Sequence, residues 1–142
     1  MAEAHTIQVD IVSAEGEIFS GPAKMVFAPA SQGEIGIAPR HAPLLSLLKA
    51  GEVRVQPPDG DEQVFFVGGG AIEIQPHKVT VLADTALRAK DIDEAAALAA
   101  KQRAEEALKD KSGRITQAEA LAELARAAAQ LKVLQRLRKL RG

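Results

Sequence analysis

Four serines stand in the first half of the chain, where a hydrolytic nucleophile could be sought: Ser13, Ser20, Ser31 and Ser46. A serine hydrolase needs its nucleophile beside a base, together with a third group that orients the base. None of the four has the flanking glycines of a Gly-x-Ser-x-Gly turn, which presents the serine in many hydrolases. A small hydrolase is therefore an alternative that no motif supports.

Three histidines and a run of glycines could suggest a metal or a phosphate site. His5, His41 and His77 are far apart and have no partner ligands at the spacing of a metal site, so no metal is expected. Gly68-Gly69-Gly70 is not followed by the Lys-Ser or Lys-Thr pair of a P-loop. A β-bulge or a close approach of two backbone segments is the better interpretation of these glycines.

Cations are concentrated at the carboxy-terminal end of the chain. The helix macrodipole favours positive charge at the end of a helix, which accounts for part of this enrichment. Five cations within ten residues exceed that need, so the sequence predicts a surface for an acidic partner. The residues are Lys132, Arg136, Arg138, Lys139 and Arg141.

Length and composition limit the other functions. The chain has 142 residues, a formal net charge of -1, no Cys, no Tyr and no Trp. Thiol chemistry and disulfides are excluded, and a reducing compartment is favoured. Single-stranded nucleic acid is a poor candidate ligand, because its binding platforms stack bases on aromatic side chains. No apolar run approaches the roughly 20 residues of a membrane helix, so membrane association is expected only through partners.

The first half of the chain has the pattern of antiparallel β-strands. Ile7, Val9 and Ile11 alternate with polar residues, which predicts a strand with one buried face. Turns are predicted at residues 15–17, at 57–61 with its Pro, Asp and Gly residues, and at 76–78. Further short strands are predicted at residues 24–28, 51–56, 63–67, 71–75 and 78–82. This all-β part, residues 1–86, should form a sandwich or flattened barrel.

The second part, residues 87–142, should be a helical hairpin. It is dominated by strong helix formers, and its helices contain no Pro. Asp91 with Glu94, and Thr116 with Glu119, have capping-box spacing, so they predict two helix starts. The first helix should end near Lys111, with Gly113 as its left-handed stop.

Because the loop between the helices is short, they should lie antiparallel. Their facing surfaces are predicted at Ala95, Ala96, Ala99 and Ala125, with an apolar stripe on the second helix. Alanine contacts bury little area, so the hairpin should be only marginally fixed. The predicted stripe consists of Leu121, Leu124, Ala128 and Leu131.

Two segments resemble the epsilon subunits of bacterial F-type ATP synthases. Residues 33–44 read Gly-Glu-Ile-Gly-Ile-Ala-Pro-Arg-His-Ala-Pro-Leu, which is the more specific string. Residues 67–74 read Val-Gly-Gly-Gly-Ala-Ile-Glu-Ile, and Val-Thr-Val-Leu-Ala-Asp follows at residues 79–84. The resemblance extends over essentially the whole chain. It implies an amino-terminal β-sandwich of about ten strands followed by two helices.

The resemblance implies a mechanical role rather than a catalytic one. In that family the β domain binds the gamma subunit and the c-ring as part of the rotating stalk, and the helices can enter the catalytic head and inhibit ATP hydrolysis. Glu34 and His41 lie in the loop region expected to face the c-ring and the gamma subunit. His41 stands between Pro39 and Pro43, which indicates a rigid loop at the surface. The basic cluster would then face the catalytic beta subunit. The expected location is peripheral, on the cytoplasmic face of the bacterial inner membrane.

Some members of that family bind ATP through a motif of the form Ile/Leu-Asp-x-x-Arg-Ala. The corresponding stretch here begins Ile92-Asp93, but Ala96 replaces the motif arginine. Asp93, Arg103 and Arg126 are the remaining candidate contacts. Loss of a charge-assisted hydrogen bond costs about 1.5–3 kcal/mol, so ATP binding is predicted to be weak or absent.

A second alternative is a stand-alone adaptor whose helical hairpin grips some unrelated protein. Composition alone does not reject it. Capture of gamma and c subunits, rather than of another partner, would separate the two hypotheses.

Overall fold

The computed structural model describes residues 5–110 and 116–141, except for the side chain of residue 141. The chain divides into two compact units, one ending at Arg88 and the other beginning at Ala89. The boundary predicted after residue 86 falls inside the last strand, Ala86–Arg88. Each unit is described by itself below.

The first unit, called the β unit here, contains eight strands among the described residues. They are β1 (Ile7–Ser13), β2 (Gly16–Ala23), β3 (Met25–Ala30), β4 (Gly33–Ile37), β5 (Leu44–Gln56), β6 (Gln63–Gln75), β7 (Lys78–Ala83) and β8 (Ala86–Arg88). The strand order is β2-β1-β7-β6-β5-β3-β4, and β8 pairs with β6. All neighbours are antiparallel except β1 and β7, which are parallel.

One core fills this unit. Ile7, Val9 and Ile11 are fully buried, which confirms the predicted alternation in β1. Ala23 of β2 and Ile37 of β4 belong to the same buried cluster, although their strands lie at opposite ends of the strand order. The sheet must therefore fold over itself, as the predicted sandwich requires.

Strands β5 and β6 form a long hairpin of 13 residues on each side. The predicted turn at residues 57–61 lies in the connection between them, and their register is constant from Leu44 opposite Ile74 to Val55 opposite Gln63. The prediction of separate strands at residues 63–67 and 71–75 was wrong. Gly68 and Gly70 stay paired with β5, so the two predicted segments form one strand. The described residues contain eight strands, where about ten were expected.

The glycine run marks a close approach of two backbone segments, as the sequence indicates. Gly69 and Gly70 have φ values of +103° and +128°, which few other residues adopt. A Cβ atom on Gly70 would overlap the carbonyl oxygen of Leu82 and lie 2.9 Å from the Cα of Ala83. Strands β6 and β7 can therefore meet here only because residue 70 has no side chain.

The second unit contains a short 3₁₀ turn, Ala89–Asp91, and two helices, α1 (Glu94–Lys109) and α2 (Gln117–Arg141). Thr116 Oγ1 accepts a hydrogen bond from the backbone N–H of Glu119 at 3.1 Å, which confirms the predicted cap of α2. The prediction that Asp91 caps α1 was wrong. Asp91 belongs to the 3₁₀ turn, and Asp93 accepts the capping hydrogen bond from Ala96 at 3.1 Å.

The helix α1 ends at Lys109, slightly before the predicted Lys111. The connecting loop, with the predicted stop at Gly113, lies outside the described residues. Ion pairs join Glu94 near the start of α1 to Arg138 near the end of α2, and Arg103 to Glu123 at 3.5 Å. The helices are therefore antiparallel, as predicted.

Alanines are the main buried residues of both helices, but not the predicted ones. Ala95, Ala96, Ala99 and Ala125 are exposed. The predicted stripe on α2 was also wrong, because Leu121 is 55% exposed and Ala128 is exposed as well. Leucines and alanines occur on every side of α2, so apolar periodicity alone did not select its buried face. The buried residues are Ala97, Ala104, Ala120, Ala127, Val133 and Leu134.

In the part of the chain that the structure describes, neither helix is long and apolar enough to span a membrane.

Candidate docking surfaces

Three leucines form an exposed patch on the outer surface of the β unit, called the leucine patch here: Leu45, Leu47 and Leu82. Leu47 is paired with Ala71 of β6, which is in turn paired with Leu82 of β7. Leu45 is two residues before Leu47, so its side chain lies on the same face of β5. The exposed fractions are 74% for Leu45, 68% for Leu47 and 54% for Leu82. Contiguous exposed apolar side chains of this kind mark interaction sites.

The leucine patch was not predicted from the sequence, although a signal was present. Residues 44–48 read Leu-Leu-Ser-Leu-Leu, which places leucines on both faces of one strand. Leu48 is buried, whereas Leu45 and Leu47 face outward. A strand of a single sandwich needs only one apolar face, so the second apolar face indicates a partner.

Glu34 lies on β4 rather than in the predicted loop, and that prediction was wrong. The resemblance placed Glu34 in a loop region, but β4 pairs with β3 from Gly33 to Ile37. The side chain of Glu34 is 50% exposed, and its Oε1 accepts a hydrogen bond from Arg54 at 3.1 Å. The carboxylate is thus held in place and still reachable from solvent.

His41 lies in the connection between β4 and β5. Its backbone N–H donates to the carbonyl oxygen of Ala38 at 3.1 Å, and Arg40 donates to Pro76 at 2.7 Å in the β6–β7 turn. The imidazole Nδ1 lies 2.6 Å from the carbonyl oxygen of Ala42, and the residue is half-buried. These hydrogen bonds agree with the rigid loop that the flanking prolines indicate.

The basic cluster does not form a single patch on α2. At about 100° per residue, Lys132, Arg136 and Lys139 fall on one side of the helix, and Arg138 points elsewhere. Arg138 is ion-paired with Glu94 of α1. Arg136 is half-buried, and the side chain of Arg141 lies outside the described residues.

A groove of about 520 Å³ runs between α1 and α2. Its apolar side chains include Leu98, Leu131 and Leu134. Lys101 and Lys132 also line it, together with the ion pair of Glu94 and Arg138. The Lys132 side chain therefore borders the groove rather than standing alone on the surface.

The structure does not collect the predicted nucleotide contacts into one site. Asp93 is engaged as the cap of α1, and Arg103 is paired with Glu123. Asp93 and Arg103 are ten residues apart, a rise of about 15 Å along the helix. Arg126 is exposed on α2. Within residues 5–110 and 116–141, no cluster of His, Asp and Glu residues suits a metal ion.

Comparison with known proteins assigns both units to the same family. Residues 6–89 match the family "ATP synthase, Delta/Epsilon chain, beta-sandwich domain", and residues 90–135 match "ATP synthase, Delta/Epsilon chain, long alpha-helix domain". The chain is 66% identical over 139 residues to the ATP synthase epsilon chain of Nitrosococcus oceani, covering 98% of this chain and 99% of that one. It is 60% identical over 136 residues to that of Halorhodospira halophila, covering 94% and 96%.

Solved structures share the fold at low identity. A chain of the mitochondrial ATP synthase of Euglena gracilis superimposes with a TM-score of 0.69 at 17% identity, covering 100% of this chain and 85% of that one. A chain of the Tetrahymena thermophila central stalk and c-ring structure gives a TM-score of 0.60 at 12% identity, covering 94% and 99%. The strand order, the helical hairpin and the matches to both family domains agree, and the chain belongs to the ATP synthase delta/epsilon chain family.

Proposed function

We propose that the chain is a non-catalytic rotor subunit of a bacterial F-type ATP synthase, docked on the gamma subunit and the c-ring at the cytoplasmic face of the membrane. The leucine patch is the observation that carries this proposal. It lies on paired strands of a well-packed sandwich, so it is presented without the entropy cost of ordering a loop. A subunit that transmits torque needs such a rigid docking face.

Polar contacts complement the leucine patch. Glu34 and His41 are both held by hydrogen bonds at the surface of the β unit, and we assign them to the contact with the c-ring and the gamma subunit. Such groups fix the register of an interface more than they add to its affinity. The leucines would supply most of the binding free energy.

The helical unit has the features of a detachable inhibitory element. Leu98, Leu121 and Leu140 are 45%, 55% and 51% exposed. Lys132, Arg136 and Lys139 share one side of α2, which suits an acidic surface in the catalytic head. Alanine contacts and surface ion pairs hold the hairpin, and exposed ion pairs contribute only about 0.2–1 kcal/mol each. A partner could therefore reposition the helices at small cost.

Removing the helical unit tests docking and inhibition together. A chain ending at Arg88 keeps β8, which pairs with β6, and should still enter the purified ATP synthase complex. ATP hydrolysis by that complex should rise severalfold over wild type, because the inhibitory helices are gone. Subunit composition on gels and the rate of phosphate release measure the two effects.

A chain ending at Asp84 is the matched control, since it also loses β8. Its β unit should be less stable and should enter the complex poorly. Failure of the chain ending at Arg88 to enter the complex, although folded, would contradict the docking role. An unchanged rate of hydrolysis in a complex that contains it would contradict inhibition.

We also propose that regulatory ATP binding is weak or absent. Ala96 supplies no cation, and both Asp93 and Arg103 already have partners within the helical unit. Titration calorimetry of the purified chain with ATP should detect no binding stronger than millimolar. A micromolar dissociation constant would overturn this proposal.

A further inference from the structure

Arg54 lies at the centre of an outward-facing cluster on strands β3, β4 and β5. It is directly opposite Phe27 in the β3–β5 ladder, and its guanidinium carbon is 4.3 Å from the centroid of the Phe27 ring. One guanidinium nitrogen donates to Glu34 Oε1 at 3.1 Å, and its Nε lies 3.6 Å from Glu52 Oε1. A planar cation thus stacks on an aromatic ring and bridges two carboxylates.

The backbone of β4 makes room for this stack. Gly36 is paired with Phe27, and a Cβ atom on Gly36 would lie 3.2 Å from the Cε1 atom of the ring. A side chain at residue 36 would therefore push the ring away from its present position. The Phe27 ring packs against Gly36 and also stacks with the guanidinium of Arg54.

Arg54 is held firmly for a charged side chain at a protein surface. Only 16% of its side chain is exposed. Within the described chain its buried Nε has no hydrogen-bond partner, although the Glu52 carboxylate is close enough for an ion pair. Its position is therefore set by stacking and by charge, with Glu34 as its directed hydrogen bond.

The bond from Arg54 restricts the side chain of Glu34, which would otherwise sample several rotamers on an exposed strand. Arg54 donates a hydrogen bond to Oε1 of Glu34, and half of the Glu34 side chain remains exposed. Two carboxylates face one guanidinium, so the cluster of Glu34, Glu52 and Arg54 keeps one net negative charge. A carboxylate fixed in this way is a prepared acceptor for a hydrogen-bond donor or a cation on a partner.

We infer that Arg54 is a positioning residue for rotor docking, which orients the Glu34 carboxylate to accept a hydrogen bond from a polar donor on the c-ring. The inference rests on the proposed function, since it takes the c-ring as the partner of Glu34. Arg54 itself need not touch the partner. Its effect on binding should therefore pass through Glu34.

A double-mutant cycle tests this dependence, using the full chain and a purified complex of gamma subunit and c-ring in detergent. Arg54→Met and Glu34→Gln should each weaken binding about fivefold to twentyfold, as expected for a lost charge-assisted contact. The double variant should bind no more weakly than either single variant, because both changes disable the same contact. Arg54→Lys retains the charge but not the planar stack, so it should recover part of the affinity.

Arg88→Met is the matched control. Arg88 also lies in the β unit and donates a hydrogen bond to the carbonyl oxygen of Ile18 at 2.7 Å, but it has no contact with Glu34 among those described. Its loss should leave the dissociation constant within about twofold of wild type. Circular dichroism melting of every variant shows whether the β unit is folded, and Arg54→Lys replaces Arg54→Met in the cycle if the latter does not fold.

The outcomes separate the inference from the proposed function. If wild type does not bind the complex, the proposed function fails. If wild type binds but Glu34→Gln has no effect, or if the Arg54 and Glu34 effects are independent and additive, the positioning role is overturned. Coupled losses with recovery by Arg54→Lys support it.

Discussion

Replacing Gly70 with alanine is expected to destabilise the β unit by more than about 4 kcal/mol, which few single substitutions do. Two effects add at this residue. Its φ of +128° strains any residue with a side chain, at a cost of about 1–3 kcal/mol. In addition, the new methyl group would overlap the Leu82 carbonyl oxygen, so β6 and β7 would have to separate where both strands border the core.

Gly33→Ala is the matched control for the conformational strain alone. Gly33 has a similar φ of +131°, but a Cβ atom there would meet nothing within 4 Å. The free energy of unfolding of the Gly33→Ala variant should be only about 1–3 kcal/mol below that of wild type. Urea unfolding followed by circular dichroism measures both variants. Similar losses for the two alanines would show that the close approach at Gly70 matters little.

The second large effect is expected from the leucine patch. Changing both Leu45 and Leu47 to glutamine should weaken binding to the complex of gamma subunit and c-ring about 100-fold. A fully buried leucine contributes about 1.5–3 kcal/mol, and 1.4 kcal/mol corresponds to a tenfold change in affinity. Because both side chains already face solvent in the free chain, the stability of the β unit should change little.

Leu121→Gln is the control for this substitution. Leu121 is 55% exposed, comparable with the patch residues, but it lies on α2. In an assay that contains no catalytic head, its replacement should leave the affinity unchanged. A loss common to all three leucines would indicate non-specific apolar adhesion instead of a docking face.

Local patterns with a single physical meaning could be predicted from the sequence. Strict alternation at Ile7, Val9 and Ile11 allows one buried face only. The Pro-Pro-Asp-Gly-Asp segment at residues 57–61 suits a turn and little else, and it connects the β5–β6 hairpin. Thr116 with Glu119 has the spacing of a cap, and the predicted hydrogen bond is formed at 3.1 Å.

Predictions failed where several registers satisfied the same pattern. The segment Asp91-Ile92-Asp93 offers two possible caps. Asp91 is taken up by the 3₁₀ turn Ala89–Asp91, so Asp93 caps α1. The helices carry alanines on many sides, so tertiary packing selected Ala97 and Ala104 rather than Ala96 and Ala99. Neither choice can be made from side-chain type alone.

The candidate site depended most on contacts between distant residues. Glu34 was predicted from the sequence, but its partner Arg54 is 20 residues away and on another strand. Leu47 and Leu82 come together only because β6 pairs with both of their strands. The resemblance to epsilon subunits indicated the partners, whereas the sheet register showed which exposed side chains lie side by side.

The dissociation constant of the Leu45→Gln, Leu47→Gln chain for the complex of gamma subunit and c-ring, compared with wild type and Leu121→Gln, tests the docking role of the β unit most directly. We expect a loss of about 100-fold for the double variant at unchanged melting temperature, with the control equal to wild type. Wild-type affinity in the folded double variant would show that the rotor does not dock on this face.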